Sequence, residues 1–210
     1  MPHVILLGDS IFDNAAYVAG GPDVITHLEG MLPPGWRATL AAIDGATTQD
    51  MPIQYRRIPG DATHLVLSIG GNDALMSVDL LERRAHSVAE ALSMLADVRD
   101  AFEARYREVL RELLRRGLPL TVCTVYNGSF PDATMQRLAS TALTVFNDAI
   151  LRSAFEHALT VVDLRLVCRD PADYANPIEP SVQGGARIAR AIVRAVTGRA
   201  EASRATEVFV

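Results

Sequence analysis

Residues 4–14 read VILLGDSIFDN. The run Val4-Ile5-Leu6-Leu7 shows no polar alternation, the pattern of a strand covered on both faces inside a parallel sheet. Gly8-Asp9-Ser10 then marks a strand-to-helix junction, where a hydroxyl and backbone N–H groups can face one accessible point. From this tripeptide, Ser10 reads either as a nucleophile or as the N-cap of the next turn.

Working outward, segments rich in Val, Ile and Leu recur at residues 3–8, 39–43, 64–69, 120–125 and 160–164. Between them lie stretches of helical periodicity at 23–31, 48–58, 79–116, 132–157 and 181–196. Strands alternating with helices predict an α/β domain over residues 1–197, a three-layer α/β/α sandwich with a five-stranded parallel sheet. The stretch 79–116 is too long for one straight helix, and a break at Ala96-Asp97, with Asp97 as a new N-cap, is expected. Gly117-Leu118-Pro119 ends it. Residues 198–210 lack periodicity and are expected to form a flexible tail.

The chain has 210 residues, 49% of them hydrophobic, enough for a core of ordinary domain size. With 20 basic against 25 acidic residues and a net charge of −5, it offers no broad basic field, so nucleic acid is not an expected partner. No apolar run approaches the roughly 20 residues that span a bilayer, and no basic leader with a small-residue cleavage site opens the sequence, so no membrane association and a cytoplasmic location are expected. Cys123 and Cys168 lack a disulfide or metal spacing and are expected to be buried thiols. Oligomeric state is not readable.

In an open parallel sheet, ligands sit beyond the carboxyl ends of the strands. Three strands run there into small or hydrogen-bonding residues: Gly8-Asp9-Ser10, Asp44-Gly45-Ala46 and Gly70-Gly71-Asn72-Asp73. Gly45 permits close approach of a ligand to the main chain, and Asn72 offers an amide donor. Each is also ordinary turn chemistry; together with a serine they form the minimum kit for stabilising a tetrahedral acyl intermediate. Asp9, Asp13, Asn14 and Asp73 raise a metal or phosphate-ester site as a weaker reading, since their spacing identifies no ligand set; Asp13 and Asp73 can equally be caps.

At these blocks the chain resembles the SGNH or GDSL hydrolases: VILLGDSIFDN (4–14) is similar to the serine block, DGATTQDM (44–51) to the glycine block and VLSIGGND (66–73) to the asparagine block. The resemblance implies a flavodoxin-like sandwich, no cofactor, and hydrolysis of small-molecule esters, thioesters or acetylated sugars. It makes Ser10 the nucleophile and assigns the oxyanion hole to the Ser10 and Gly45 N–H groups and the Asn72 side chain.

The fourth block, NPIEPSVQGGARIARAI (176–192), departs from the pattern: Asn176 and Glu179 stand where the family carries its aspartate and histidine. The five histidines do not rescue it. His3 and His64 open strands at the far edge, and His27, His86 and His157 are expected on helices. Two accounts follow. Glu179 can accept the Ser10 proton if it lies in hydrogen-bond reach and burial raises its pKa, with Asn176 orienting it through its amide N–H. Alternatively, Glu179 is a polar loop residue at a helix N-terminus, and the scaffold binds a ligand without cleaving it. Asp170, Asp173 and Tyr174 read as solvated loop residues. The leading expectation is an esterase acting on a small acyl group.

Overall fold

A computed structural model describes residues 1–198; the expected tail falls almost wholly outside them. Five parallel strands form one sheet: β1 (His3–Gly8), β2 (Arg37–Leu40), β3 (His64–Ser68), β4 (Leu120–Cys123) and β5 (Thr160–Val162), in the order β2-β1-β3-β4-β5. This is the flavodoxin-like order, and its topological switch point lies between β1 and β3.

The uniform apolar run that opens the sequence is explained by period two. Ile5 and Leu7 join one core cluster with Leu65, Leu67 and Val122, while Val4 and Leu6 join the other with Val66 and Val162. Each buried aliphatic side chain contributes about 1.5–3 kcal/mol. The first cluster is closed by α4 (Val88–Leu114) and α5 (Ala133–Glu156), the second by α1 (Val24–Met31) and α7 (Val182–Thr197). Short helices α2 (Met51–Tyr55), α3 (Gly71–Leu75) and α6 (Leu164–Val167) complete the connections.

Strand ends differ from expectation because backbone bonding gives out earlier than apolarity. β2 pairs with β1 from Arg37 and leaves the ladder after Leu40, whereupon the N–H groups of Ala41 and Ala42 both reach the Leu6 carbonyl. β5 stops at Val162 because Asp163 caps α6, accepting from the Arg165 N–H.

The helix break is also elsewhere. A 3-10 turn, Val78–Glu82, precedes α4, which is continuous through Asp97. Ser87 accepts from the Glu90 N–H at 3.1 Å, and Glu90 reaches back to the His86 N–H at 2.6 Å, so the start signal lies there. His86 therefore sits before the helix rather than on it, and His157 caps the end of α5.

Length mismatch shapes the functional edge. α4 has 27 residues and α5 has 24, so they extend about 40 and 36 Å. The six residues of β1 extend only about 20 Å. Each helix starts on the carboxyl side of the sheet, and its first buried residue comes late, Phe102 in α4 and Phe146 in α5. Their first halves thus overhang the strand ends. Among the described residues, no helix is long and apolar enough to cross a membrane.

Candidate active site

Ser10 follows β1 in a single tight turn, with the N–H groups of Phe12 and Asp13 bonded to the Asp9 carbonyl, both at 3.1 Å. The capping role belongs to Asp9, whose Oδ1 accepts from the Ile11 N–H at 3.1 Å. Ser10 is thereby free for another partner: its Oγ donates to Glu179 Oε1 at 3.0 Å. Glu179 is 6% exposed, so this contact lies inside the protein.

The turn is held by its glycine. Gly8 has φ of +134°, and a Cβ there would stand 1.7 Å from the Ser68 carbonyl oxygen, so β1 and β3 approach too closely for any side chain. Gln54, on α2, clamps the same residue, accepting from its N–H at 2.8 Å and donating to its carbonyl at 2.6 Å. Sequence reading passes over Gln54, because a glutamine in a short helix carries no signature of a buried clamp.

Burial is the main force on Glu179 and pushes its carboxyl up to about 7; the Ser10 hydrogen bond opposes this, and the negative charge of Asp44 adds to it. Its second oxygen, Oε2, is buried and unpartnered among the described residues. Asp9 is likewise raised to about 7, by burial first, with its backbone hydrogen bond to Ile11 opposing and the charges of Glu179 and Asp73 assisting. The nucleophile loop is thus flanked by two buried carboxyl groups poised near neutrality, one of which receives the serine hydrogen bond. Asp9 as a titrating group was not foreseen, although two acidic blocks meeting at one sheet edge are the signal.

The loop carrying Glu179 is fastened at several points. Tyr126 donates its hydroxyl to the Ile178 carbonyl at 2.6 Å, Ser129 its N–H to the Pro177 carbonyl at 2.8 Å, and Asn14 its amide to the Pro180 carbonyl at 3.2 Å. Asn176 acts differently from expectation. Its Oδ1 accepts from the N–H groups of Ile178 at 3.0 Å and Glu179 at 2.9 Å, so it shapes the backbone rather than donating to the carboxylate. Asp173 and Tyr174 are not solvated loop residues. Asp173 is 0% exposed and accepts from Arg187 at 2.8 Å and Gln183 at 3.1 Å, tying the loop to α7, and the Tyr174 hydroxyl donates to the Cys168 carbonyl at 3.0 Å.

Asn72 opens α3 and donates through Nδ2 to the Ala46 carbonyl at 3.0 Å, which fixes the asparagine against the glycine block and leaves its second amide hydrogen for a ligand. Gly45 is exposed and has φ of +76°. Ser10, Asn72 and Glu179 line one cavity, together with Asp9; Gly45 and Asn176 lie outside its lining. The cavity holds about 400 Å³, and its remaining wall is dominated by apolar residues of α3, α4 and α5.

The carboxylates weighed as a metal site are otherwise employed. Asp13 accepts from the Asp44 N–H at 2.9 Å, and Asp73 accepts from the Thr48 N–H at 3.0 Å and its hydroxyl at 2.5 Å. Among the described residues, no group of three His, Cys, Asp or Glu side chains is placed to hold a metal ion. His3 is buried at the opposite edge, within 2.8 Å of Thr39 Oγ1.

Residues 6–187 match the model of a family described as GDSL-like lipase/acylhydrolase. No curated protein sequence is significantly similar to the chain. Among solved structures, an extracellular lipase from Streptomyces rimosus superposes with a TM-score of 0.71 at 15% identity, covering 93% of this chain and 100% of the lipase. Phospholipase A1 from Streptomyces albidoflavus gives 0.67 at 14% identity, over 95% and 99% of the two chains. Axe2, an acetylxylan esterase from Geobacillus stearothermophilus, gives 0.65 at 21% identity, over 93% and 94%. At these identities the likeness is one of fold.

Proposed function

Since the chain belongs to the GDSL-like lipase/acylhydrolase family, we propose that it is a serine-dependent carboxylic-ester hydrolase in which Ser10 attacks and Glu179 is the base. The observation that carries this reading is the buried 3.0 Å hydrogen bond from Ser10 Oγ to Glu179 Oε1. An unperturbed glutamate, near 4.3, is about two pH units less basic than histidine, near 6.5. Burial removes that handicap, because a carboxyl near 7 matches the proton affinity that acyl transfer at neutral pH requires.

In this mechanism Ser10 Oγ bonds to the ester carbonyl carbon as its proton passes to Glu179. The carbonyl oxygen becomes an oxyanion, held by the N–H groups of Ser10 and Gly45 and the free amide hydrogen of Asn72. The C–O bond to the leaving group breaks, and Glu179 returns the proton to the departing alkoxide. Water then attacks the acyl-serine with Glu179 again as base, releasing the acid. Asn176, through the backbone of residues 178 and 179, is a positioning residue. That a lipase, a phospholipase and an acetylxylan esterase share this fold supports ester chemistry. The cytoplasmic setting is part of the proposal and is supported by both cysteines being free and buried.

The test is turnover of p-nitrophenyl esters by the full chain between pH 5 and 9. Ser10→Ala is expected to abolish it and Glu179→Gln to reduce kcat by about 10³-fold, the lower range for loss of a base in such a unit. Turnover indifferent to both changes would overturn the assignment and place the activity elsewhere, whereas no turnover by the wild-type chain would leave a scaffold that binds without cleaving.

A further inference from the structure

We propose that the apolar cavity beside Ser10 is an acyl-chain site and that the substrates are esters of medium-chain fatty acids, octanoyl to dodecanoyl, rather than of acetate. This rests on the hydrolase reading and names its substrate class, in place of the small acyl group expected from sequence.

The argument starts from the overhang. Beyond the strand ends the first halves of α4 and α5 have no sheet beneath them, yet their facing sides remain apolar: Leu95 and Val98 on α4, Ala139, Ala142 and Leu143 on α5. The space between them is the 400 Å³ cavity, which opens onto Ser10 and Asn72. A water molecule, close in size to a methylene group, takes about 30 Å³ in the liquid. The cavity therefore accommodates on the order of ten carbon-sized groups. An acetyl group leaves most of the wall without contacts; a medium alkyl chain supplies them. The rim is apolar as well, with Leu75 41% and Val78 45% exposed, so a chain enters without crossing charged groups.

The chain belongs to the acyl rather than the alcohol part because the two sides of the serine differ. The cavity side is apolar, and beside the serine it is lined by Gly71 and Asn72 as well as by Ile178 and Glu179. Around Gly45 the surface instead carries Asp13, Asp44 and Tyr17, linked by hydrogen bonds, a setting for a polar, hydroxyl-bearing leaving group.

The experiment compares p-nitrophenyl acetate, octanoate and palmitate, with octyl acetate as the arm that places the chain on the alcohol. Each buried methylene is worth roughly 3- to 4-fold, so kcat/KM for octanoate should exceed that for acetate by at least about 100-fold, with palmitate falling back. Ala142→Phe should lower the octanoate-to-acetate ratio at least tenfold; Ala139→Phe, on the same helix face, serves if the first variant folds poorly. Saturable binding of a dansylated undecanoic acid to Ser10→Ala, lost on adding Ala142→Phe, reads the cavity without turnover. Ser10-dependent turnover that favours acetate or octyl acetate would overturn the acyl site and leave the hydrolase standing. No turnover of any ester, with saturable probe binding lost in the Phe variant, would overturn the hydrolase and leave the acyl site. Absence of both preference and binding overturns the proposal.

Discussion

Asn14 joins the two ends of the chain at the catalytic edge: its amide donates to the Pro180 carbonyl at 3.2 Å across 166 residues of sequence, and its own oxygen accepts from the Val24 N–H at 2.9 Å. The side chain is 0% exposed, so neither partner finds water if it is removed. Leaving a buried backbone group unsatisfied destabilises by about 1–3 kcal/mol. Asn14→Ala should lose that much in a urea melt. It should also lower kcat about tenfold with little change in KM, because the bond sets where the base sits and touches no substrate. An equal rise in KM would place Asn14 against the ligand instead.

The pH dependence of turnover follows from the base. Glu179 works only as a carboxylate, so kcat/KM should rise through about pH 7 and then level, in contrast to the acid optimum of an unperturbed glutamate. The negative charge of Asp44 contributes to that raised value, and Asp44→Asn keeps an oxygen for the Tyr17 hydroxyl. The rising limb of this variant should move to lower pH. Because Asp9 titrates in the same range beside Glu179, the limb belongs to the pair and not to one residue.

The same two carboxyl groups tie stability to pH. Asp9 is raised from 3.8 to about 7, so between those values the folded chain holds a proton that the unfolded chain has released. Stability contributed by the protonated form is present below about pH 4 and is lost as pH climbs to about 7. The loss is on the order of 4 kcal/mol for a fully buried group. Wild-type Tm should therefore be lower at pH 8 than at pH 5, and Asp9→Asn should remove about half of that difference, Glu179 keeping the rest. A variant as pH-sensitive as wild type would show that the carboxyl is hydrated.

Two glycines of the motif blocks should respond to alanine by different amounts. At Gly8 the added Cβ meets the Ser68 carbonyl oxygen at 1.7 Å, backbone against backbone, so Gly8→Ala should lose well over about 3 kcal/mol and yield little soluble protein. At Gly45 nothing stands within 4 Å, and only the left-handed backbone resists, at about 1–2 kcal/mol. Gly45→Ala should fold, which makes it the usable probe of the glycine block in turnover assays.

The sheet was legible because Val4 to Leu7 and Leu65 to Leu67 are apolar at every position, as a strand buried on both faces requires, and such short runs alternate with longer helical stretches. Helix boundaries were less so: Asp97 and Ser87 carry comparable local start signals, and only the Glu90 reach-back to His86 decides between them. Ser10, Asn72 and Glu179 could be placed at one edge from strand ends and motif spacing. Burial could not. Asp173 reads as a loop residue until Arg187, on a later helix, is folded onto it, and the shift on Glu179 depends on walls contributed by distant segments. The cavity was invisible for the same reason, since it arises from helices longer than the strands they cover.

The replaced pair, Asn176 and Glu179, gives the last prediction. Asn176 spends its oxygen on the N–H groups of residues 178 and 179, leaving its amide hydrogens as the groups available to a neighbour. If Glu179→His is made alone, an amide donated to the imidazole Nδ1 fixes the tautomer with its proton on Nε2, which cannot accept from serine; in serine proteases the corresponding loss of the aspartate lowers kcat about 10⁴-fold. An aspartate at 176 can keep both backbone bonds with one oxygen and accept Nδ1–H with the other. Glu179→His should therefore be nearly inert, and adding Asn176→Asp should restore kcat by at least about 100-fold over the single variant. The restored enzyme should not surpass wild type by more than a few-fold at pH 7.5, because burial already brings Glu179 to the proton affinity of a histidine. A single variant as active as the double would show that residue 176 has no say in the tautomer, and the orienting group would have to be sought elsewhere on the loop.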